Sequence, residues 1–393
     1  MTAKPHGPIP PEFADLHQLP WLDVSTPAYV YDFAVIEARI ARLRAALPAK
    51  VGVHYAIKAN PFAPLLARIA PLVDGMDVAS AGEMERALGV MAAGEISFAG
   101  PGKRDAELEA AIRAGVTLNL ESIAEGQRAL AIGKAIGITP RLAVRVNPDF
   151  ELRGSGMKMG GRASPFGIET AHVAELVKML RGEGAEWRGL HIFAGSQSLD
   201  TAAIIATQAA TVDLAARLAE EIGAVPPLVN LGGGLGIPYF PGDTPVAVEA
   251  IGAALEGAVG QLDTDYAIEL GRWLVGEAGV YLARVIDRKE SQGETFLVVD
   301  GGLNHHLAAT GNFGTVVRRN YPVAVAGRMQ DAPEEVVTVV GPLCTPLDRL
   351  ADRVALPHAK VGDVIAVFAS GAYGATASPS AFLGHPPVGE VVV

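Results

Sequence analysis

Cysteine is almost missing from this chain: Cys344 stands alone among 393 residues. One thiol closes no internal disulfide, which fits a reducing compartment, and no cysteine spacing suggests a zinc site, so no metal is expected. Basic surplus is missing too. The 32 Lys and Arg against 43 Asp and Glu leave a net charge of −11, and no stretch concentrates bases without acids close by, which argues against nucleic acid as a partner. No run of about 18 apolar residues offers a membrane span, and the N-terminus MTAKPHGPIPPEF has prolines where a signal peptide needs an apolar run. These absences imply a soluble, cytoplasmic protein with no membrane partner. What the chain does have is apolar bulk, half of its composition, enough for one large core and a second smaller one.

Proline is frequent in the first thirty residues, which end in TPAYVYD, an alternating stretch that reads as a strand. Ile36, Ile40, Leu43 and Leu47 then fall at helical spacing, and the β-rich run VGVHYAI (51–57) follows. Further short strands are expected at 76–79, 96–99, 116–120, 141–146, 188–193, 228–231 and 266–269. Helical segments lie between them, as at Glu83 to Ala92, Ile123 to Ile136, Ala171 to Leu180 and Ala202 to Ile222. Eight such units imply an α/β fold with a parallel sheet, at the size of a closed (β/α)₈ TIM barrel; periodicity alone also admits an open doubly wound sheet. After Arg272 the texture changes to short valine-rich runs with turn residues between, which is the pattern of an antiparallel sandwich or barrel. The expected organisation is residues 1–32 as an N-terminal segment contributing to the β domain, 33–270 as the barrel and 271–393 as the C-terminal β domain.

In such a barrel the active site lies where the strands end at their C-terminal face. Lys58 closes the first strand, Asp77 lies in the second, Arg145 is near the end of the fifth, Ser196 follows the sixth, Gly232, Gly233 and Gly234 follow the seventh, and Glu269 ends the eighth. A lysine buried at the end of an apolar strand loses affinity for its proton, and its amine becomes a nucleophile suited to imine formation. Taken singly, such a lysine more often snorkels to solvent or pairs with an acid. A GGG run alone is usually a flexible turn, although bare amides after strand seven suit a phosphate. Glu269 alone reads best as a rim acid paired with Arg272. Cys344 and Asp348 in GPLCTPLD, and Tyr373 in GAYG, are singly more often packing or turn residues.

Taken together and in order, HYAIKAN, GSQ, LGGGLG, ELGR, GPLCTPLD and GAYG resemble the fold type III pyridoxal-phosphate decarboxylases, the group containing the ornithine, diaminopimelate and arginine decarboxylases. The resemblance covers almost the whole chain. It implies pyridoxal 5'-phosphate as cofactor, Lys58 as its Schiff-base lysine, and Ser196, Gly232 to Gly234 and Tyr373 on its phosphate. It also implies Glu269 at the pyridine nitrogen, and Asp77, Arg145, Phe193, Gly271 and Arg272 elsewhere around the cofactor. Arg272, Asp300, Thr345 and Asp348 are implied at the substrate. A homodimer is implied as well, with Cys344 entering the partner's site as a proton donor.

Three departures bear on the substrate. FAGSQ replaces the usual HIGSQ, so Phe193 stands where a histidine stacks on the cofactor; an aromatic face still stacks but neither titrates nor donates. Thr345 follows the cysteine where relatives carry Glu or Asp for a distal ammonium, and an unpaired ammonium in a closed site costs several kcal/mol, on the order of 3 or more. ELGR replaces EPGR, altering a turn and keeping both charges. The segment NPDFELRGSGMKMGGRASPFGI (147–168) resembles the branch containing exosortase-associated decarboxylases and a decarboxylase that acts on a carrier-tethered glutamyl group. The leading reading is therefore an α-decarboxylase of an amino acid or a carrier-protein-tethered aminoacyl group. The competing readings are a free diamino-acid decarboxylase, an amino-acid racemase of similar build, and a cofactor-binding relative without catalysis.

Overall fold

The structure, a computed structural model, describes residues 2–152, 163–311 and 319–393, with the backbone of 157 and 158. The chain divides into two compact units. One comprises Glu37–Gly236 and Val246–Gly271; the other comprises Met1–Ile36, Ile237–Pro245 and Arg272–Val393.

Among the described residues sixteen strands carry the architecture, two-residue ladders aside. They are β1 (Ala28–Tyr31), β2 (Val51–Ala56), β3 (Gly75–Val78), β4 (Ile96–Phe98), β5 (Thr117–Leu120), β6 (Arg141–Asn147), β7 (Glu186–Ile192) and β8 (Leu228–Asn230). They continue as β9 (Asp265–Leu270), β10 (Gly279–Ser291), β11 (Glu294–Val299), β12 (Val323–Val325), β13 (Glu335–Val340), β14 (Arg349–Leu356), β15 (Val364–Val367) and β16 (Gly389–Val392). Strands β2 to β9 pair in parallel with their chain neighbours, and β9 returns to β2, closing an eight-stranded barrel. The eight strands read from the sequence are these eight, shifted by one or two residues at their ends. The closed form replaces the open sheet that periodicity alone left possible.

Local chemistry sets the helices between them. Ser80, Ser122 and Asp200 accept the amides of Glu83, Glu125 and Ala203 and so cap the helices Ala81–Leu88, Ile123–Ile136 and Thr201–Ile222. Gly137 and Gly223, both left-handed, end the last two of these. Thr201–Ile222 is long and apolar enough to cross a membrane by length and composition, yet it packs between the helices Thr170–Gly182 and Val248–Ala258 on the barrel wall.

The register sorts side chains by face, because alternate strand residues point to opposite sides. Val53, Met76, Leu118, Val144, Leu190, Val229 and Ile268 share one face and are buried. They form the apolar layer under the helices, and each contributes about 1.5–3 kcal/mol by leaving water. The opposite, inner face carries His54, Asp77, Ser97, Asn119, Arg145, His191, Asn230 and Glu269. Branched aliphatic side chains usually fill a barrel of this kind; here the filling is polar.

In the other unit, β10 to β15 form a mostly antiparallel sheet in the order β12-β15-β10-β11-β13-β14, with one parallel pair, β11 and β13. β1, the TPAYVYD strand, pairs antiparallel with β10 and parallel with β16.

Candidate active site

Lys58 lies just past β2, in the single turn Ile57–Ala59. Ile57 and Ala59 are buried on either side of it, and Tyr55 Oη donates to Asn60 O at 2.9 Å, which pins the turn. The lysine itself points out. The burial expected of it is not found: Lys58 is exposed, because its two apolar neighbours take the inward positions. Its Nζ lies 5.5 Å from the centroid of the Phe193 ring and has no hydrogen-bond or ion-pair partner among the described residues. Gly271 packs on this turn, since a Cβ there would stand 2.7 Å from Ala59 Cβ and 3.0 Å from Ala56 O.

Glu269 is buried on β9. Its Oε2 accepts from Asn230 Nδ2 at 3.2 Å and lies 2.9 Å from His191 Nε2. Burial alone raises a carboxyl's pKa, but His191 beside it, with Lys58 and Arg145 further off, outweighs burial and holds Glu269 well below the usual carboxylate range. Arg145 donates to Glu121 Oε1 at 2.7 Å, its guanidinium 5.1 Å from the centroid of Phe166. Glu121 is filled on both oxygens by Arg145 and the amides of Gly100 and Gly167. Its pKa also falls, because Arg145 overcomes the effect of burial. Asp77 accepts from Ser97 Oγ at 2.5 Å and faces His54 Nδ1 at 3.3 Å.

The glycine run is more than a flexible turn. A Cβ on Gly233 would lie 1.9 Å from Glu269 O, one on Gly234 2.5 Å from Gly195 O, and one on Gly232 2.6 Å from Ile192 O. Gly232 and Gly234 are also left-handed, at φ +70° and +94°. Only glycine lets this segment lie against the ends of β7 and β9. Phe193 follows β7, and Ser196 pairs through its backbone with Met157. Much of the 147–168 segment lies outside the described residues.

Six of the implied residues, Arg272, Asp300, Cys344, Thr345, Asp348 and Tyr373, belong to the other unit. Arg272 donates to Tyr239 Oη at 2.7 Å, and its guanidinium lies 4.6 Å from the centroid of Tyr373, a residue held at φ +54°. Asp348 spends its two oxygens on the amides of Leu303 (2.6 Å) and Leu343 (2.9 Å). Burial raises its pKa, opposed by these two bonds. Asp300 accepts from the Arg284 amide and from Thr26 Oγ1. Asp348 thus closes the turn that presents Cys344, which is exposed, and Thr345, whose Oγ1 accepts from the Leu347 amide at 3.3 Å.

The barrel unit therefore gathers Lys58, Phe193, Gly271, the glycine run and Glu269 about the strand ends. Sequence reasoning missed His191, Asn230, Glu121, His54 and Tyr239. Two of these had a signal: His191 is two residues before Phe193 and Asn230 two before Gly232, so period two places each pair on one face.

Residues 33–276 match the family model described as the pyridoxal binding domain of pyridoxal-dependent decarboxylases. The chain is 36% identical to the L-glutamyl-[BtrI acyl-carrier protein] decarboxylase of Niallia circulans, over 93% of this chain and 88% of that protein. It is equally, 36%, identical to the diaminopimelate decarboxylase of Archaeoglobus fulgidus, over 94% and 88%. Among solved structures, the diaminopimelate decarboxylase of Helicobacter pylori complexed with L-lysine superposes with a TM-score of 0.83 at 27% identity, covering 94% of this chain and 92% of that one. The residues present fit such a cofactor: an unpartnered exposed amine beside an aromatic face, a segment where any Cβ would collide, and a buried carboxylate kept ionised. By sequence, by fold and by this fit, the chain belongs to the pyridoxal-dependent decarboxylase family and is a pyridoxal-phosphate enzyme that decarboxylates.

Proposed function

We propose that this enzyme removes the α-carboxylate from an amino acid whose distal end carries no free ammonium, an acylated or carrier-tethered aminoacyl group being the best fit. The observation that carries this reading is Thr345. It stands in the turn after Cys344, and a hydroxyl that already accepts the Leu347 amide offers a distal ammonium no counter-charge. The relative acting on a carrier-linked glutamyl group supports the same reading. A free diamino acid, the substrate in the names of the diaminopimelate relatives, is the second reading, supported by an equal identity.

Lys58 would hold the cofactor through Nζ, its unpartnered amine being the group able to form an imine there. Pyridoxal phosphate, when bound, supplies an electron-accepting ring toward which the Cα–carboxylate bond can break. Glu269, kept anionic, would hold a proton on the ring nitrogen, and Asn230 and His191 fix its carboxylate in place. Phe193 would offer its face to the ring, and Gly232 to Gly234 with Ser196 and Tyr373 would hold the phosphate. Asp77, Arg145, Gly271 and Arg272 complete the surround, and Asp300 and Asp348 act at the substrate by shaping the segments that meet it. Cys344 Sγ returns a proton to Cα.

We infer further that the enzyme is a cytoplasmic homodimer in which Cys344 serves the partner's site, and that the domains divide near residues 32 and 270. The exposed Cys344 and the exposed Leu347 beside it support the dimer. The substrate reading is tested by screening free and carrier-bound amino acids for CO₂ release. Turnover of a neutral, acidic or acylated distal end, with little from ornithine, lysine or meso-diaminopimelate, is the expected result. Efficient decarboxylation of lysine or diaminopimelate, with kcat/KM of order 10⁴ M⁻¹s⁻¹, returns the enzyme to the diamino-acid branch.

A further inference from the structure

The inner face of the barrel does not stop at Glu269. Toward the N-terminal ends of the strands lies a cavity of about 150 Å³. Its place in the barrel is fixed by its lining, which uses the first residues of β4, β5 and β8 and the segments that precede β3 and β4. That is the face opposite Lys58. His54, Ser97, Asn119 and Asn230 form its inner wall, and Asp74 and Glu95, both exposed, stand at its mouth with Arg188. A water occupies about 30 Å³ and needs two to four polar partners, so this chamber has both the room and the lining for several.

Two links join the chamber to the residues around Glu269. Asn230 is part of its wall and donates to Glu269 Oε2 at 3.2 Å. His54 is also part of its wall, and in the register of β2 and β9 it is the direct partner of Glu269, so the two side chains share a face at adjacent-strand spacing. His54 in turn faces Asp77 at 3.3 Å, and Asp77 is held by Ser97. An imidazole and a carboxylate thus stand between bulk water and the acid behind the cofactor site.

We infer that this chamber is a hydrated proton inlet, in which water entering at Asp74 and Glu95 exchanges protons with His54, and that the charge of the His54–Asp77 pair is felt at Glu269 and His191. On taking a proton from hydronium, the His54 imidazole becomes a cation, Asp77 stays anionic and the pair passes from −1 to 0; release reverses this. The groups facing His54 are Asp77 and Asp74 from the β3 side and Glu269 from β9, and all three are acids. Burial lowers the pKa of His54, but these acids together raise it above the ordinary imidazole value. His191, Arg145 and Lys58 lie beyond, around Glu269, while Glu95 and Arg188 face the chamber from its mouth. A cation at His54 favours the anion at Glu269, so the pair supports from below the charge state that the proposed role of Glu269 requires. The inference rests on that role for its purpose, but not for its test.

The test uses cofactor-free protein with ¹⁵N-labelled histidine, so a wrong substrate or a wrong role for Lys58 leaves its readout unmoved. In wild type, ring nitrogens of His54 should titrate above the ordinary range. Glu269→Gln removes one of the acids that raise the pKa of His54, so the His54 midpoint should fall by about half a pH unit or more. Ala143→Leu fills the chamber from its wall, and exchange of the His54 ring proton with water should slow about tenfold or more. A His54 midpoint unmoved by Glu269→Gln overturns the coupling, and exchange unchanged in a folded Ala143→Leu protein overturns the inlet. Should Ala143→Leu not fold, the Glu269→Gln shift alone decides.

Discussion

Lys58 and Lys103 each follow a barrel strand, β2 and β4, and the structure spends them in opposite ways. Lys103 is buried and engaged, donating to Gly100 O (2.7 Å) and Asn119 O (2.9 Å) and pairing with Glu125 Oε1 at 2.9 Å. It ties the segment after β4 to β5 and to the first turn of the helix Ile123–Ile136. Lys58 is exposed with no such partner, an aromatic ring at its side and a glycine packed beneath its turn. An ammonium engaged in this way holds a structure together; one whose donors are unspent at the mouth of a barrel is available for chemistry. Burial was the property expected of Lys58, and of the two lysines it is Lys103 that has it.

That contrast breaks cleanly by substitution. Lys58→Ala should abolish activity and the visible absorbance of bound cofactor, yet shift unfolding free energy by no more than about 0.5 kcal/mol, because an exposed side chain with no bonds is removed. Denaturant melts and an activity assay on one preparation check both halves. Lys103→Met should do the reverse. It leaves Glu125 buried without its cation at a cost of about 3–5 kcal/mol, while the molecules that remain folded should still bind cofactor.

Glu269→Gln should bind cofactor and lose about 10²-fold or more in kcat, since an uncharged group no longer holds the ring nitrogen protonated. Near-normal kcat would make Glu269 structural. The acid limb carries a second reading. The folded pKa of Glu269 lies below its ordinary value of 4.5, so its ionised form contributes stability that is complete above that value and lost as pH falls through the folded one. The Gln variant lacks this contribution, and its stability should change less steeply in acid.

The barrel was legible because its outer face is apolar at period two between helices at period 3.6, so all eight strands could be placed. Its closure needed the pairing of β9 with β2. The glycine run was visible, but only the 1.9 Å approach to Glu269 O distinguishes it from a turn. Glu269 was found and its partner was not: Arg272, the partner weighed for it, is engaged with Tyr239, while His191 and Asn230 come from strands far away in sequence. Asp348 read singly as a packing or turn residue, which its bond from the Leu343 amide bears out, but its second bond, from the Leu303 amide, and the bonds that fill Asp300, from the Arg284 amide and Thr26 Oγ1, have no local signal. Side-chain partners set by register across a closed sheet are the part a single sequence conceals.

The smallest effect expected concerns substrate choice. Thr345→Glu should shift preference toward a diamino acid by roughly 1 to 3 kcal/mol in kcat/KM ratio, and no shift would mean that the distal end is read elsewhere.

The most direct test of the contrast between the two lysines is borohydride reduction of the cofactor-loaded enzyme, followed by proteolysis and mass spectrometry of the lysine peptides. A single pyridoxyl adduct on the peptide carrying Lys58, with the Lys103 peptide unmodified, is the result this structure predicts. An adduct on Lys103 or on another lysine, with Lys58 unmodified, would contradict it.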